Sequence, residues 1–330
     1  MRELVADLQR WLVAGEPVAL ATVIAASGPS PRPVGARMAV SAAGRMAGSV
    51  SGGCVEGAVL REAQGVLASG SPRRLRYGTV GDEQWEVGLA CGGTVEIYVE
   101  PLAPLHRRLL AALEAGETVA LVTRLDDAAH LLAWPDGRTE GETALTVEVA
   151  GLDWSGAPLA ELRAWASNDL FVQLFTPQPT LTIVGAVHIA QPLTRLAQVL
   201  GFRVRVADSR RAFLTAERFP TADERVAARP ERALRPEHLR PQDALVILTH
   251  SPRFDLPALE IALRSPVGYI GLLGSRNTQA RRQAALIERG FSAAELARIH
   301  GPVGLDLGGR EPEEIALAIL AHIVAVRHGR

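Results

Sequence analysis

The sequence predicts an α/β protein with a C-terminal Rossmann-like, doubly wound parallel sheet and an N-terminal mixed α+β domain. Its 330 residues suffice for about two domains of usual size. Thr176-Pro177-Gln178-Pro179 is interpreted as a linker, so the domains would span residues 1–176 and 180–330. After the linker, short apolar strands alternate with helical segments, which is typical of a parallel sheet. Before it, hairpins and helices are mixed.

In the N-terminal domain, apolar spacing predicts the elements. Three prolines within residues 27–33 exclude a helix or a central strand there, and Ala43-Gly44 is interpreted as a hairpin turn. No internal repeat is evident. The predicted helices are 3–14, 55–68, 104–114 and 159–165, and the predicted strands are 18–25, 37–40, 45–50, 75–78, 94–99, 118–123, 130–134 and 143–148.

In the C-terminal domain, the same criteria predict a repeated alternation of strand and helix. Gly201 is placed as the residue that ends the first of these helices. The predicted strands are 181–184, 203–207, 244–249 and 267–273, and the predicted helices are 189–200, one from about 257, 276–289 and 312–326.

Charge and composition exclude several classes of function. With 35 basic and 36 acidic residues, no single-sign field is available to hold a nucleic-acid backbone. Every basic residue counted is arginine, so a lysine Schiff base and a P-loop lysine are excluded. Anions must bind arginine, helix N-termini or backbone N–H groups.

The cysteine count and the apolar runs indicate a cytoplasmic protein. Two cysteines, Cys54 and Cys91, do not form a disulfide framework, and we expect both thiols to be free. The first residues are too charged for a signal peptide, and no apolar run approaches the ~18 residues of a membrane span.

A turn in the C-terminal domain resembles a dinucleotide fingerprint. Residues 185–190 supply the first glycine and the final alanine, but Val187 replaces the middle glycine and would crowd a pyrophosphate. Asp208 would hold ribose hydroxyls, and Arg210 and Arg211 lie where a 2′-phosphate could bind. A purely structural βαβ unit with solvated arginines is the alternative.

A second strand-to-helix turn, Gly274-Ser275-Arg276, is a candidate anion site. Ser275 is a plausible N-cap, and the free N–H groups beside Arg276 would bind a phosphate. An ordinary capped helix is the alternative. Three histidines also lie near predicted strand ends, each more often a structural residue than a catalyst: His188, His250 and His300.

The two thiols lie in glycine-rich segments. Cys54 follows Ser51-Gly52-Gly53 and is predicted in the first turn of a helix, where the thiolate is favoured. Cys91 precedes Gly92-Gly93, and such glycines let a bulky ligand approach. The alternative is that both are small buried residues. No CxxC or HxxxH pair supports a zinc site.

Several blocks together resemble one known family over nearly the whole chain. They are residues 21–23, 30–38, 48–56, 88–93 and 99–101 in the first half and 185–190, 208–210, 248–250, 271–276, 302–308 and 312–316 in the second. With these blocks the chain resembles the XdhC/CoxI family. It departs from the family pattern at Val187, where glycine is usual, and at Ser209, where a second aspartate is usual.

The resemblance implies an accessory protein of xanthine dehydrogenase. Such proteins bind molybdenum cofactor (molybdopterin), promote or protect its sulfurated form, and hand it to a molybdenum hydroxylase. The implied partners are a xanthine dehydrogenase-type molybdenum hydroxylase and a cysteine desulfurase, and a homodimer is the default state.

The resulting hypothesis places the cofactor in a cleft between the two domains. The molybdenum would face Cys54 and Cys91, since soft thiolate sulfur suits that metal. Arg32 and Arg37 would donate charge-assisted hydrogen bonds to the phosphate or the pterin. The candidate cofactor-binding residues are Arg32, Arg37, Ser51, Gly52, Gly53, Cys54, Cys91, Gly92, Gly185, His188, Asp208, Arg210, Gly274, Ser275 and Arg276.

Two other functions stay open at this point. An NAD(P)-dependent oxidoreductase would use the same Rossmann-like turn, although Val187 argues against it. A docking scaffold without catalytic activity would bind no ligand at all. The sequence favours an accessory factor over a catalyst.

Overall fold

The computed structural model describes residues 1–30, 32–78, 89, 92–154, 159–165 and 168–329. The chain divides into two compact units, Met1–Pro177 and Gln178–Arg330. Each unit has its own sheets and hydrophobic clusters. Within the described residues, no helix is long and apolar enough to cross a membrane.

The first unit begins with helix α1 (Val5–Val13) and a five-stranded antiparallel sheet in the order β3-β2-β1-β5-β4. Helix α2 (Glu56–Ser69) packs Val59, Ala63 and Val66 onto this sheet, since these positions share one helical face. The strands are β1 (Val18–Ser27), β2 (Arg37–Ser41), β3 (Met46–Gly48), β4 (Arg73–Tyr77) and β5 (Thr94–Pro101).

Helix α3 (Pro104–Glu114) leads into a second five-stranded antiparallel sheet, in the order β8-β7-β6-β10-β9. A 3-10 segment, Thr143–Val149, lies between β8 and β9. The strands are β6 (Val119–Arg124), β7 (His130–Ala133), β8 (Thr139–Gly141), β9 (Leu159–Trp165) and β10 (Asn168–Phe175).

Two predicted elements of this second sheet are wrong. Residues 143–148 form the 3-10 segment instead of a strand, because Leu145 and Val149 pack on one side of it against the sheet. Residues 159–165 form strand β9 instead of a helix. There Ala160 and Leu162 alternate onto one apolar cluster while the backbone pairs with β10.

The first unit consists of two copies of one arrangement. Each copy has a helix, three strands, a helical segment and two further strands. Each sheet places its own strands in the order third, second, first, fifth, fourth. The absence of an internal repeat expected from the sequence is therefore wrong.

The repeat leaves only a short trace in the sequence. Residues 14–20 are AGEPVAL and residues 115–121 are AGETVAL, each running into the first strand of its copy. Gly48 and Gly141 each end the third strand. At the same spacing of 101 residues, Leu8 and Leu12 recur as Leu109 and Leu113, and the loops of the two copies differ in length.

The two copies also share a core. Helices α1 and α3 contribute to one buried cluster together with residues of β1, β6 and β10. Trp11 and Trp134 are buried in it, so this cluster joins the two sheets into one unit.

The second unit is a six-stranded parallel sheet in the order β13-β12-β11-β14-β15-β16. This is the 3-2-1-4-5-6 order of doubly wound dinucleotide folds, so the predicted fold class is confirmed. The strands are β11 (Thr180–Val184), β12 (Arg203–Ala207), β13 (Glu224–Val226), β14 (Ala244–Ile247), β15 (Tyr269–Leu272) and β16 (Ile299–His300).

Helices cover both faces of this sheet. One buried cluster includes residues of α4 and α9, and another includes residues of α6 and α7. Helix α6 begins at Pro252, earlier than the predicted start near Pro257, because proline is tolerated in a first helical turn. The helices are α4 (Ala190–Val199), α5 (Pro230–Ala233), α6 (Pro252–Leu263), α7 (Arg276–Glu288), α8 (Ala293–Leu296) and α9 (Pro312–Arg327).

Candidate functional site

Three connecting segments meet at one edge of the first sheet. Because neighbouring strands are antiparallel, the end of β1, the start of β2, the end of β3 and the start of β5 lie at the same edge. The described residues of these segments are 28–30, 32–36, 49–55, 78, 89, 92 and 93. Arg32 Nε donates to the carbonyl oxygen of Ser49 at 3.2 Å, and Gly93 lies so close to the Pro29 carbonyl that a side chain would collide with it.

The strand boundaries described for the second copy leave shorter connections at its matching edge. Its first two strands are joined by residues 125–129, and β9 ends at Trp165 just before β10 begins at Asn168. The glycine-rich and cysteine-containing segments predicted to be functional therefore belong to the first copy only. The first copy therefore has long connecting segments at this edge, whereas the second copy has short ones.

Glu56 organises the segment that carries Cys54. Its Oε1 accepts hydrogen bonds from the Ser49 hydroxyl at 2.6 Å and from the Ser51 amide at 2.9 Å. Its Oε2 accepts from the Gly53 amide at 2.8 Å and from the Ser51 hydroxyl. Burial raises the pKa of Glu56, but the hydrogen bonds from Ser49 and Ser51 outweigh burial and lower it to about 2.

The sequence analysis did not identify Glu56 as a site residue. The available signal was an acid at the first helical position directly after a serine- and glycine-rich loop. Acids at helix N-termini commonly accept hydrogen bonds from nearby free amides.

Cys54 is exposed, and it lies before the helix rather than in its first turn as predicted. Val55 is the N-cap and α2 begins at Glu56, because the Glu56 carboxylate holds the preceding amides in a non-helical turn. Gly52 and Gly53 have φ of 72° and 120°, a region that favours glycine. A Cβ on Gly53 would meet no described atom within 4 Å, so space is open at this position.

The second thiol cannot be placed in the same way. Cys91 lies outside the described residues, and its role stays a prediction. Two predicted cofactor-binding residues near the thiols can be placed. Gly92, beside Cys91, is exposed, whereas Ser51, in the segment of Cys54, is buried.

The two predicted arginines lie in different environments. Arg32 is partly exposed and pairs with Glu3 at 2.7 Å while it holds Ser49. Arg37 is buried, and its Nε donates to the Thr22 hydroxyl at 3.1 Å. Burial lowers the pKa of Arg37 to about 10, although the charge of Glu100 opposes this. The buried Arg37 guanidinium is therefore not accessible to a ligand, whereas Arg32 is partly exposed.

A buried polar cluster near Arg37 joins the two copies. Glu100 Oε2 lies 2.8 Å from His130 Nε2, and Glu100 Oε1 lies 3.5 Å from His106 Nε2. Burial raises the pKa of Glu100, but the two histidines lower it to about 2. In the second copy Gln173 takes the strand position that corresponds to Glu100, since Leu20 faces Glu100 and Leu121 faces Gln173.

The donor atoms of this cluster lie within 4.8 Å of one another, close enough for a metal ion. The hydrogen bonds fit a structural role better. His106 Nδ1 accepts the Ala103 amide at 3.1 Å, so the neutral ring carries its proton on Nε2, the atom a metal would need. The buried Arg37 already balances the Glu100 charge.

In the second unit, a pocket of about 340 Å³ opens at the carboxyl ends of β11, β12, β13 and β14. Ligands of doubly wound sheets bind at this place, where the strand order reverses. The pocket brings together six residues that the sequence analysis names: Gly185, Val187, Asp208, Ser209, Arg210 and His250. Its lining is Val184, Gly185, Val187, Ala207, Asp208, Ser209, Arg210, Ala228, Pro230, Thr249, His250, Ser251 and Phe254.

The turn after β11 lets two strand ends approach closely. A Cβ on Gly185 would lie 2.9 Å from the Thr249 side chain, so this position accepts only glycine without displacement. Val187 is partly buried and forms part of the pocket wall.

Asp208 is buried, and both of its carboxylate oxygens accept hydrogen bonds. Its Oδ2 accepts the Ala186 amide at 2.9 Å, and Arg210 binds both carboxylate oxygens, at 3.0 and 2.7 Å. Burial raises the pKa of Asp208, but the Arg210 and Ala186 hydrogen bonds hold it below its usual value. Arg210 also lies over the Phe213 ring, 4.2 Å from its centroid, while Arg211 is exposed.

The second predicted turn is separate from the lining of this pocket. Ser275 is the N-cap of α7, as predicted, and accepts the Thr278 amide at 3.3 Å. Gly274 precedes it with φ of 139°, and Arg276 is exposed.

A buried ion pair that the sequence analysis did not identify contacts Thr249 of the pocket lining. Asp255 of α6 and Arg282 of α7 form an ion pair, and Asp255 also accepts the hydroxyl of Thr249. Arg282 donates to the Leu273 carbonyl at 3.0 Å. The partners are far apart in sequence, so no local pattern could reveal them.

The three predicted histidines have three different environments. His188 is exposed in the turn before α4, and His250 lines the pocket. His300 stacks on Tyr269, with ring centroids 4.7 Å apart, and also contacts His322.

Comparison with known proteins identifies the family. Residues 11–78 match the XdhC and CoxI family, and residues 181–323 match the XdhC Rossmann domain. The chain belongs to the XdhC and CoxI family.

Relatives of this XdhC and CoxI family protein match it nearly end to end. A Bacillus subtilis protein named as a probable xanthine dehydrogenase subunit is 29% identical over 94% of each chain. An Escherichia coli protein named molybdenum cofactor insertion chaperone PaoD is 28% identical over 96% of this chain and 85% of that one. A crystal structure described as a xanthine dehydrogenase from Bacillus halodurans has a TM-score of 0.82 and 28% identity, covering 99% of this chain and 96% of that chain.

The family matches contain both places described above. The XdhC and CoxI match includes the segment from Ser49 to Glu56, and the XdhC Rossmann match includes the pocket around Asp208.

Proposed function

We propose that this protein binds molybdenum cofactor as cargo and delivers it to a xanthine dehydrogenase-type molybdenum hydroxylase, as an accessory factor rather than a catalyst. The observation that carries the proposal is the exposed Cys54 in a glycine-rich segment braced by Glu56. Family membership and the name of the Escherichia coli relative support the choice of cargo.

The chemistry of the segment suits this cargo. A cysteine thiolate is a soft ligand of the kind that suits the metal end of the cofactor. Gly52 and Gly53 add no side chains beside Cys54, and space is open around Gly53. A bulky metal–pterin group can therefore approach the sulfur.

The acidic and basic groups nearby have distinct parts. Glu56 holds Gly53 and Ser51 in place, so the backbone that presents Cys54 is ordered before the cargo arrives. Arg32 lies over Ser49 and is partly exposed, so it can donate a charge-assisted hydrogen bond to the cofactor phosphate.

The finer parts of the proposal derive from the family resemblance. They are the sulfuration of the cofactor with a cysteine desulfurase as partner, a homodimeric state, and Cys91 as a second thiol ligand. Each has its own test: pull-down with the desulfurase, light scattering, and the single Cys91→Ser variant.

The decisive experiment measures cofactor bound to the purified protein. The wild type, Cys54→Ser, Cys91→Ser and the double variant are expressed in a molybdenum-replete host. Molybdenum is measured by mass spectrometry, and the pterin by fluorescence after oxidation. We expect the wild type to carry both and the double variant to lose them.

A matched control keeps the test specific. Glu62→Gln alters an exposed residue of α2 whose described ion pair is with Arg73, and it should leave the bound cofactor unchanged. Unchanged cofactor in the double cysteine variant would refute the role of the thiols. A wild type that never carries the cofactor would favour the docking scaffold.

A further inference from the structure

The pocket at the switch point of the second unit is not explained by the thiol segment of the first. It is lined at one side by Asp208 and Arg210 and at another by Thr249, His250 and Ser251. The remaining wall is mostly small and apolar. A few polar groups converging in an apolar cavity are typical of a small-molecule site.

The size of the pocket restricts the ligand. About 340 Å³ lies at the low end of the ~300–1,000 Å³ found for ligand sites. One nucleoside fits such a volume, whereas a complete dinucleotide extends well beyond it.

The position of Asp208 indicates which part of a nucleotide enters. An acid at the end of the second strand of this fold accepts the ribose hydroxyls. Both Asp208 oxygens are now bound by Arg210, whose side chain is 52% exposed. Because the Arg210 side chain is half exposed, it can move into solvent while a ribose diol takes its place at the carboxylate, and Arg210 then becomes free to meet a phosphate.

Val187 disfavours a diphosphate group attached to the nucleoside. The middle glycine of the fingerprint lets the backbone touch a pyrophosphate, and here a valine side chain forms part of the pocket wall at that point. A diphosphate that crosses the Gly185 turn, as in NAD(P), would meet this side chain.

We propose that the second unit has a site for a single ribonucleoside 5′-phosphate, bound through Asp208 in preference to NAD(P). This site goes beyond the proposed cofactor role and does not depend on the thiols. The ligand is a free ribonucleotide, because the diphosphate that links the halves of a molybdopterin dinucleotide would meet Val187 as that of NAD(P) does.

The test is isothermal titration of the full-length wild type with AMP, GMP, CMP and UMP, with NAD and NADP beside them. At least one mononucleotide binds, and its 2′,3′-dideoxy analogue binds about tenfold more weakly, as expected for loss of a hydrogen bond to a charged acceptor. Neither NAD nor NADP binds more tightly than the mononucleotide.

Three variants sharpen the test. Asp208→Asn weakens the mononucleotide at least as much as removal of the hydroxyls does, whereas Asp306→Asn, in an exposed loop, has no effect. Val187→Gly strengthens NAD binding severalfold.

Several results would overturn the proposal. They are the absence of mononucleotide binding, equal binding of the dideoxy analogue, or tighter NAD binding by the wild type. The dideoxy comparison uses wild-type protein, so it stands even where Asp208→Asn fails to fold. A cysteine double variant that loses cofactor but keeps the mononucleotide separates this site from the proposed function.

Discussion

Replacing Glu56 by glutamine isolates the contact that orders the thiol segment. The carboxylate accepts from the amides of Val50, Ser51 and Gly53 as well as from two hydroxyls. A glutamine amide keeps one oxygen and turns an NH₂ group toward the other donors. If the NH₂ replaces Oε2 it faces the Gly53 amide, and if it replaces Oε1 it faces the Val50 and Ser51 amides.

The magnitude follows from this geometry. At least one amide loses its acceptor in either orientation, and the charge disappears from the remaining bonds. A hydrogen bond to a charged group contributes about 1.5–3 kcal/mol. Glu56 is partly exposed, so the lower end applies and the segment should lose about 1.5 kcal/mol of local stability. This corresponds to about tenfold more frequent opening.

The effect should also depend on pH. Folding lowers the pKa of Glu56 from 4.5 to about 2, so its stabilising contribution is complete above pH 4.5 and is lost as the pH falls toward 2. Glutamine does not titrate, so the variant should lack this dependence.

Amide hydrogen exchange of the peptide spanning residues 49–55, corrected for intrinsic rates, measures the change. Exchange at Val50, Ser51 and Gly53 should accelerate about tenfold in Glu56→Gln at pH 7. Glu62→Gln on the same helix is the control and should leave it unchanged. Equal exchange in Glu56→Gln and wild type would refute the bracing role.

Two further predictions concern buried charges. Arg282→Met leaves the buried Asp255 carboxylate without its partner, so it should lower the free energy of unfolding of the second unit by about 3–5 kcal/mol in urea titration. The control Arg281→Met, at an exposed neighbouring position, should change this free energy little. Equal effects of the two variants would contradict the ion pair. Glu100→Gln leaves the Arg37 charge uncompensated and should cost the first unit a similar about 3–5 kcal/mol, whereas Glu96→Gln, on the same strand but more exposed, should cost under about 1 kcal/mol.

The sequence predicted the features that depend on neighbouring residues. The Gly185 turn, the Ser275 cap and the hairpin at Gly44 each follow from the conformations that a few consecutive residues favour. The alternation after residue 180 predicted the parallel sheet, because its apolar strands and helices are long enough to show their periods.

Features that depend on distant residues were missed. Strand β9 was predicted as a helix, because only pairing with β10 and packing of Leu162 show the two-residue period. The duplication was missed because identical residues recur over only a short stretch, whereas the shared strand order is visible only in the fold. Asp255 and Arg282 looked like ordinary charged residues of two amphipathic helices.

By itself the sequence determined the fold class, the family and the segments that contain candidate functional residues, since local conformation and apolar periodicity depend on consecutive residues. Tertiary structure alone decided that three segments of the first copy share one edge of a sheet, that Glu56 holds the Cys54 turn, and that Asp208 is engaged by Arg210. The physical reason is that hydrogen bonds and ion pairs depend on distance in space, and strand pairing brings together residues that the chain keeps apart.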